Sequence, residues 1–471
     1  MTVENKGILD RTLSNLKRAW LDIASPSAGG KISETVELSP DLPESEIDKL
    51  KAQMNACLKG LGGEVSARSR AAALGRAYLS LDTDGRKRFL QVLSTEFGPA
   101  KEKVDDAAAE MLSASPEDRE AKEKALLNAL EAPRIKLLTQ FNGLPEGVKF
   151  LVDMRAELLG FLRDDPSLKP LEVDLKSLLT RWFDVGFLEL RRITWESPAT
   201  VLEKLIAYEA VHAIKSWDDL KNRLDSDRRC FAYFHPRMPE EPLIFVEVAL
   251  VAGMAGHIKP LLDEGAPVLD PEKADTAIFY SISNAQKGLA GISFGNFLIK
   301  RVVGRLSGNF PNLKTFATLS PIPGFQKWLD GRLAEGEPKL LLPAERKALK
   351  AVTGNSGSKG GLKSALAQPL WFEDERIEAT LRAILSRLCA RYLMKEKRGT
   401  RALDPVAHFH LTNGARMERL NWLGDPSENG LRQSAGMMIN YRYKLREIES
   451  NHEAYSGNGA VKTSSAFKNL L

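Results

Sequence analysis

Along the first third of the chain, apolar residues recur at spacings of three and four, the pattern of helices that bury one face. Ile47, Leu50, Met54, Leu58 and Leu61 form one such stripe, and Gly62-Gly63 beyond it offers the left-handed conformation that stops helices. Residues 66–81 carry a second stripe through Ala72, Leu74, Ala77, Tyr78 and Leu81. Asp82 or Thr83 then caps a third helix through Phe89, Leu90 and Leu93. Ser115-Pro116-Glu117-Asp118 reads as a helix start, with the serine oxygen as cap, proline in the first turn and acids at the positive dipole end. Val148, Leu151, Met154, Leu158 and Leu162 continue the pattern up to Asp164-Asp165-Pro166. This third contains no histidine and no candidate site, and reads as a helical bundle for packing or assembly.

Past about Pro170 the pattern changes. Helical segments persist to about Leu224, and short runs rich in β-branched and aromatic residues follow. Residues 230–234 (CFAYF) and 243–250 (LIFVEVAL) flank the turn-forming HPRMPEEP and predict a hairpin. Residues 276–282 (TAIFYSI) predict a further strand, then a glycine-bearing loop and a helix through Phe297, Leu298, Val302 and Leu306. A fourth strand, 314–319 (KTFATL), ends at Ser320-Pro321-Ile322-Pro323-Gly324, where two prolines forbid ladder bonding. Residues 405–411 (PVAHFHL) predict a fifth strand, ended by the turn signal Asn413-Gly414. Between these two, 353–361 (TGNSGSKGG) reads as a flexible loop in a helical insertion.

At 471 residues the chain exceeds one ordinary core, so two domains are expected. Its 67 basic and 62 acidic residues leave +5, too little for a nucleic-acid footprint but compatible with an anionic ligand. Cys57, Cys230 and Cys389 are odd in number and far apart, indicating neither a disulfide framework nor a zinc site. No apolar run reaches the roughly 20 residues of a membrane span. The opening MTVENKGILD lacks the basic-then-apolar order of a secretory signal, so a cytoplasmic enzyme is expected.

Three places could carry chemistry. In the loop after residue 282, Gly288, Gly291 and Gly295 allow close backbone approach to a ligand. The following helix start offers N–H groups to phosphate, with Lys287, Lys300 and Arg301 nearby. A glycine-softened strand-to-helix turn fits the same pattern, and no GxGxxG dinucleotide fingerprint occurs. Ser320 stands at the end of a strand, where α/β enzymes place functional groups, although a turn serine would look alike and no GxSxG elbow is present. His408-Phe409-His410, read as strand, turns both imidazoles to one face; no third ligand for a metal is recognisable by spacing.

Several long segments make the chain resemble the malonyl-CoA decarboxylases. They are ITWESPATVLEKLIAYEAVHAI from Ile193, CFAYFHPRMPEEPLIFVEVAL from Cys230 and FYSISNAQKGLAGISFGNFLIKRVV from Phe279. FATLSPIPGFQKWL from Phe316, DPVAHFHLTNGARMERLNWLGD from Asp404 and SAGMMINYRYKL from Ser434 complete the set. The resemblance implies a helical amino-terminal domain (1–168) that assembles a homo-oligomer, dimer or tetramer, and a GNAT-like acyl-CoA-binding catalytic domain (169–471). It further implies that Ser320, in SPIPGF, and His410, in FHL, are catalytic, and that Tyr443, in NYRY, lines the site. The CoA-binding loop matches Ala290, Gly291, Ile292, Ser293, Phe294, Gly295 and Asn296. Ser293 stands where some relatives carry glutamate, a departure that bears on any acidic contribution from the loop and not on backbone contacts to phosphate.

The implied reaction turns malonyl-CoA into acetyl-CoA and carbon dioxide. The thioester carbonyl absorbs the electrons as an enolate, so orientation, an oxyanion donor and a proton for the α-carbon suffice, and no metal or cofactor is expected. His410 is the candidate proton donor, on the ground that imidazole carries a proton near neutral pH, with Ser320 and Tyr443 as further donors. A GNAT-type N-acyltransferase would share the CoA loop, and a non-catalytic acyl-CoA sensor would bind without turnover.

Overall fold

The computed structural model describes residues 20, 37–59, 64–292, 298–354 and 358–471. They divide into two compact units. One comprises Met1–Glu189 with Phe234–Leu243 and Asn284–Phe294; the other comprises Leu190–Tyr233, Ile244–Ser283 and Gly295–Leu471. No described helix is long and apolar enough to cross a membrane.

Among the described residues the first unit is built on eight α-helices: α1 (Ile47–Leu58), α2 (Glu64–Ser80), α3 (Thr83–Thr95), α4 (Lys101–Ser113), α5 (Arg119–Leu130), α6 (Pro133–Asn142), α7 (Gly147–Phe161) and α8 (Lys169–Trp182). Of the stripes read from the sequence, Ile47, Leu50 and Met54 on α1, Phe89, Leu90 and Leu93 on α3, and Val148, Leu151, Met154 and Leu158 on α7 are buried; Leu58 and Leu162 are half-buried, and Leu61 with the expected stop Gly62-Gly63 lies outside the described residues. The Phe150 ring of α7 makes T-shaped pairs with Trp20, Tyr78 and Phe141, their centroids 4.9, 5.6 and 5.1 Å away, geometry that adds to plain area burial. Asp82 caps α3, accepting the Gly85 N–H at 2.9 Å. The Ser115 expectation needs correction. Its oxygen does accept the Asp118 N–H at 3.2 Å, but this closes a turn, and α5 begins only at Arg119. Neither α4 nor α5 has a buried residue.

The second unit is organised on an eight-stranded mixed sheet of order β1-β2-β3-β4-β5-β10-β6, with β9 also paired to β10. The strands are β1 (Glu189–Ile193), β2 (Arg228–His235), β3 (Met238–Val251), β4 (Thr276–Asn284), β5 (Thr315–Thr318), β6 (Ser320–Pro321), β9 (Arg416–Asn421) and β10 (Met438–Arg442). A separate ribbon pairs β7 (Lys397–Arg398) with β8 (Arg401–Ala402). The predicted hairpin is β2–β3, and the strands expected near 276 and 314 are β4 and β5, which run parallel from Thr276↔Thr315 to Phe279↔Thr318. Period-two alternation separates the faces of this central pair. Ile278, Tyr280, Ala317 and Leu319 enter one apolar cluster with Ala249, Leu261 and Met438, which leaves Phe279, Thr318 and Ser320 to the other face. The helix expected through Leu306 is α9 (Leu298–Asn309); α10 (Phe325–Glu335) and α11 (Glu375–Lys395) follow.

Two local readings are overturned. Residues 405–411 are not a strand but the body of a helix, α12 (Pro405–Thr412). Asp404 accepts the Ala407 N–H at 2.9 Å and Pro405 sits at the first helical position, two start signals that outweigh a short alternation. Gly414, at φ +79°, follows the end of α12 and is no hairpin turn; a Cβ there would meet the Ile448 carbonyl oxygen at 2.2 Å. The loop expected over 353–361 is mostly helix as well. Thr353 closes the helix Pro343–Thr353, another helix covers Ser358–Leu366, and residues 355–357 lie outside the described residues.

Candidate active site

Ser320 opens β6, one residue beyond β5, and both short strands pair antiparallel with β10 through Ile439↔Ser320 and Arg442↔Ala317. Between these pairings the ladder is irregular, and side chains satisfy the backbone instead. Asn440 Nδ2 donates to the Thr318 carbonyl at 2.7 Å, and the Tyr441 N–H donates to Thr318 Oγ1 at 3.1 Å. The Ser320 hydroxyl donates to the same Thr318 Oγ1 at 2.8 Å. Ser320 is thus anchored before any substrate arrives.

His410 reaches Ser320 from α12, with Nε2 3.0 Å from Oγ. Its Nδ1 lies 2.8 Å from the Tyr443 hydroxyl, and its ring stacks on Tyr441 at 4.5 Å. The structure therefore joins the three residues singled out in the sequence into one chain, Tyr443–His410–Ser320, all buried. Burial holds the His410 imidazole down to about 3 and pushes the Tyr443 phenol well above its ordinary range. Both are neutral at pH 7, so the expected imidazolium is absent. With Ser320 donating to Thr318, one arrangement of protons satisfies every link: Nε2–H donates to Ser320 Oγ, and the Tyr443 hydroxyl donates to Nδ1.

His408 departs from expectation for the reason given by α12. Two positions along a helix rotate a side chain by about 200°, so the two imidazoles diverge, and a metal pair is not formed. His408 Nδ1 bonds the Tyr455 hydroxyl at 2.9 Å instead.

Of the candidate CoA loop, Ser293, Phe294, Gly295 and Asn296 lie outside the described residues. Ala290, Gly291 and Ile292 belong to the first unit. Gly291 adopts φ +71°, a conformation glycine alone takes without cost. Gly288 is required for contact with protein, not ligand: a Cβ would lie 1.8 Å from the Val152 carbonyl oxygen of α7. Arg155, also on α7, donates to the carbonyls of Gly288 and Ala290 at 2.5 and 3.0 Å and pairs with Glu172 at 2.9 Å. Lys300 pairs with Glu449 at 2.6 Å.

Sequence reading missed Thr318, Tyr441, Asn440, Asp404 and Arg155. The alternation of MINYRY held a signal for β10 and for Tyr441 and Tyr443, which stand two apart and meet the same imidazole. Asp404-Pro405 was a visible helix start. Nothing in the sequence marks Arg155.

Family models for the malonyl-CoA decarboxylase N-terminal and C-terminal domains match residues 97–183 and 186–471. The chain is 41% identical over 417 residues to "Malonyl-CoA decarboxylase, mitochondrial" of Anser anser anser, covering 84% of this chain and 82% of that protein. The protein of the same name from Mus musculus is 40% identical over 428 residues, covering 87% and 83%. Among solved structures, malonyl-CoA decarboxylase from Rhodopseudomonas palustris superimposes with a TM-score of 0.82 at 44% identity, over 90% of this chain and 99% of that one. The enzyme from Agrobacterium vitis does so with 0.80 at 42% identity, again over 90% and 99%. With both halves matched in order and relatives aligned over most of their length, the chain belongs to the malonyl-CoA decarboxylase family.

Proposed function

We propose that this chain is a carboxy-lyase converting malonyl-CoA to acetyl-CoA and carbon dioxide, and that Ser320, His410 and Tyr443 act on the malonyl group. The observation that carries the assignment of residues is the continuous hydrogen-bonded chain from Tyr443 through His410 to Ser320. Breaking the bond between the α-carbon and the carboxylate releases carbon dioxide and places an electron pair on the thioester as an enolate. When malonyl-CoA binds, the Ser320 hydroxyl turns its proton from Thr318 Oγ1 to the malonyl carboxylate and orients it for departure. The enolate then takes the Nε2 proton while Nδ1 takes the Tyr443 proton, so a neutral imidazole relays a proton without first becoming a cation. The cycle closes when Nε2 takes a proton from water on product release and Nδ1 returns its proton to Tyr443, which restores the resting tautomer. Ala290, Gly291 and Ile292, with Ser293, Phe294, Gly295 and Asn296, would hold the CoA pyrophosphate by backbone N–H groups.

No step calls for a Lewis acid or an electron sink. Activity should therefore survive extensive dialysis against chelator; activity restored only by added zinc or magnesium would overturn this. A cytoplasmic location belongs to the same reading, while the avian and murine relatives are named mitochondrial; cell fractionation decides it.

Substitution tests the residue roles. Ser320→Ala and His410→Ala should each lower turnover by roughly 100-fold or more with CoA affinity nearly unchanged. The double variant should be little worse than the worse single one, because groups serving one step are strongly non-additive. His408→Ala, on the opposite side of α12, should remain active. Activity in His410→Ala with loss in His408→Ala would reverse the assignment.

A further inference from the structure

One carboxylate touches both segments that carry the Ser320–His410 pair. Asp404 caps α12, its Oδ1 accepting the Ala407 N–H at 2.9 Å, and α12 carries His410. The other oxygen, Oδ2, lies 3.4 Å from the Gly324 N–H and 3.3 Å from the Tyr392 hydroxyl of α11. Gly324 is the N-cap of α10 and ends the Ser320-Pro321-Ile322-Pro323-Gly324 segment; having no side chain, it cannot cap α10 itself. The space a Cβ would fill there is already taken, since the Tyr392 hydroxyl would lie 2.1 Å from it. Asp404 is 1% exposed, and among the described residues no lysine or arginine pairs with it. Burial raises its carboxyl, and the N–H groups of Ala407, Gly324 and Val406 act in the opposite direction. The positive ends of two helices thus take the place of a counter-ion.

We propose that Asp404 is a positioning residue of the reaction. By holding the start of α12 and the end of the Ser320 segment with one carboxylate, it fixes the 3.0 Å approach of His410 Nε2 to Ser320 Oγ. This rests on the reading that Ser320 and His410 perform the chemistry. A carboxylate suits the place because its two oxygens accept from several donors at once and have none of their own. A serine can cap α12 but is too short to reach Gly324 and Tyr392 as well.

The test is Asp404→Ser in the full-length enzyme, in both the wild-type and the Ser320→Ala backgrounds. In the wild-type background kcat should fall about tenfold or more while KM for malonyl-CoA changes less than about twofold, the outcome of misplaced reacting groups. In the Ser320→Ala background the same substitution should cost less than about twofold, because the geometry it protects no longer matters. A purely structural cap would lower activity by one factor in both backgrounds, and that result, or an unchanged kcat, overturns the proposal. Should Asp404→Ser not fold, Gly324→Ala displaces Tyr392 and strains the same junction while keeping every acid, and the same split is expected of it. If Ser320→Ala itself turns over like wild type, the catalytic reading fails. If Ser320→Ala is slow and Asp404→Ser multiplies through unchanged, the positioning role alone fails.

Discussion

Moving an imidazole from water to a site between the Tyr441 ring and the Ser320 hydroxyl penalises its charged form far more than its neutral form. His410 accordingly stays neutral down to about 3 in the folded chain, against about 6.5 when unfolded. Between those values the unfolded chain binds a proton that the native chain does not, so stability is present above the window and is lost as pH falls through it. The slope from this one group is about 1.4 kcal/mol per pH unit. Urea midpoints at pH 6.5 and pH 5.0 should show wild type losing about 2 kcal/mol more than His410→Gln. Parallel losses in the two proteins would contradict a buried neutral imidazole. The same neutrality predicts that kcat/KM lacks an acidic limb assignable to His410 near pH 6.5, since that parameter reports the free enzyme.

At the scale of elements, α12 decides which of two histidines meets Ser320, and its ends are fixed by single residues. Gly414 follows its last turn in the left-handed region, with the Ile448 carbonyl where a Cβ would go. Gly414→Ala should lower the melting temperature clearly, from strain of about 1–2 kcal/mol plus the clash; an unchanged melting curve would show that the loop relaxes freely. Helices such as α1 and α3 were legible because they turn a polar face to solvent, leaving a stripe of period 3.6. α12 is short and apolar on several sides: Ala407, His410 and Leu411 are buried and Phe409 and His408 partly so. Its sequence therefore carries no clean period, and a two-residue alternation imitates a strand. β4 and β5 were legible as apolar runs bounded by loop signals, whereas β10 and β9 mix Asn, Arg and Glu with apolar residues. Family resemblance located Ser320, His410 and Tyr443, but their order as one hydrogen-bonded chain needed tertiary structure, because residues 90 and 33 positions apart meet there.

At the scale of the whole molecule, the helical unit holds the start of the candidate CoA loop through Arg155, so assembly and packing are not its only conceivable duties. Its outer hairpin α4–α5 nonetheless presents Leu112, Leu127 and Leu130 to solvent at 73, 68 and 49% exposure, with no buried residue on either helix. Within our reading of the helical part as the assembly element, replacing these three leucines by glutamate should reduce the mass seen by light scattering. An unchanged mass would remove this hairpin from the interface. The reaction itself is tested most directly with malonyl-CoA labelled in its free carboxylate, supplied without any amine acceptor. The wild-type chain should release labelled carbon dioxide in step with acetyl-CoA, and Ser320→Ala and His410→Ala should release it roughly 100-fold more slowly or less. Release that requires an added acceptor, or that persists undiminished in both variants, would contradict the account.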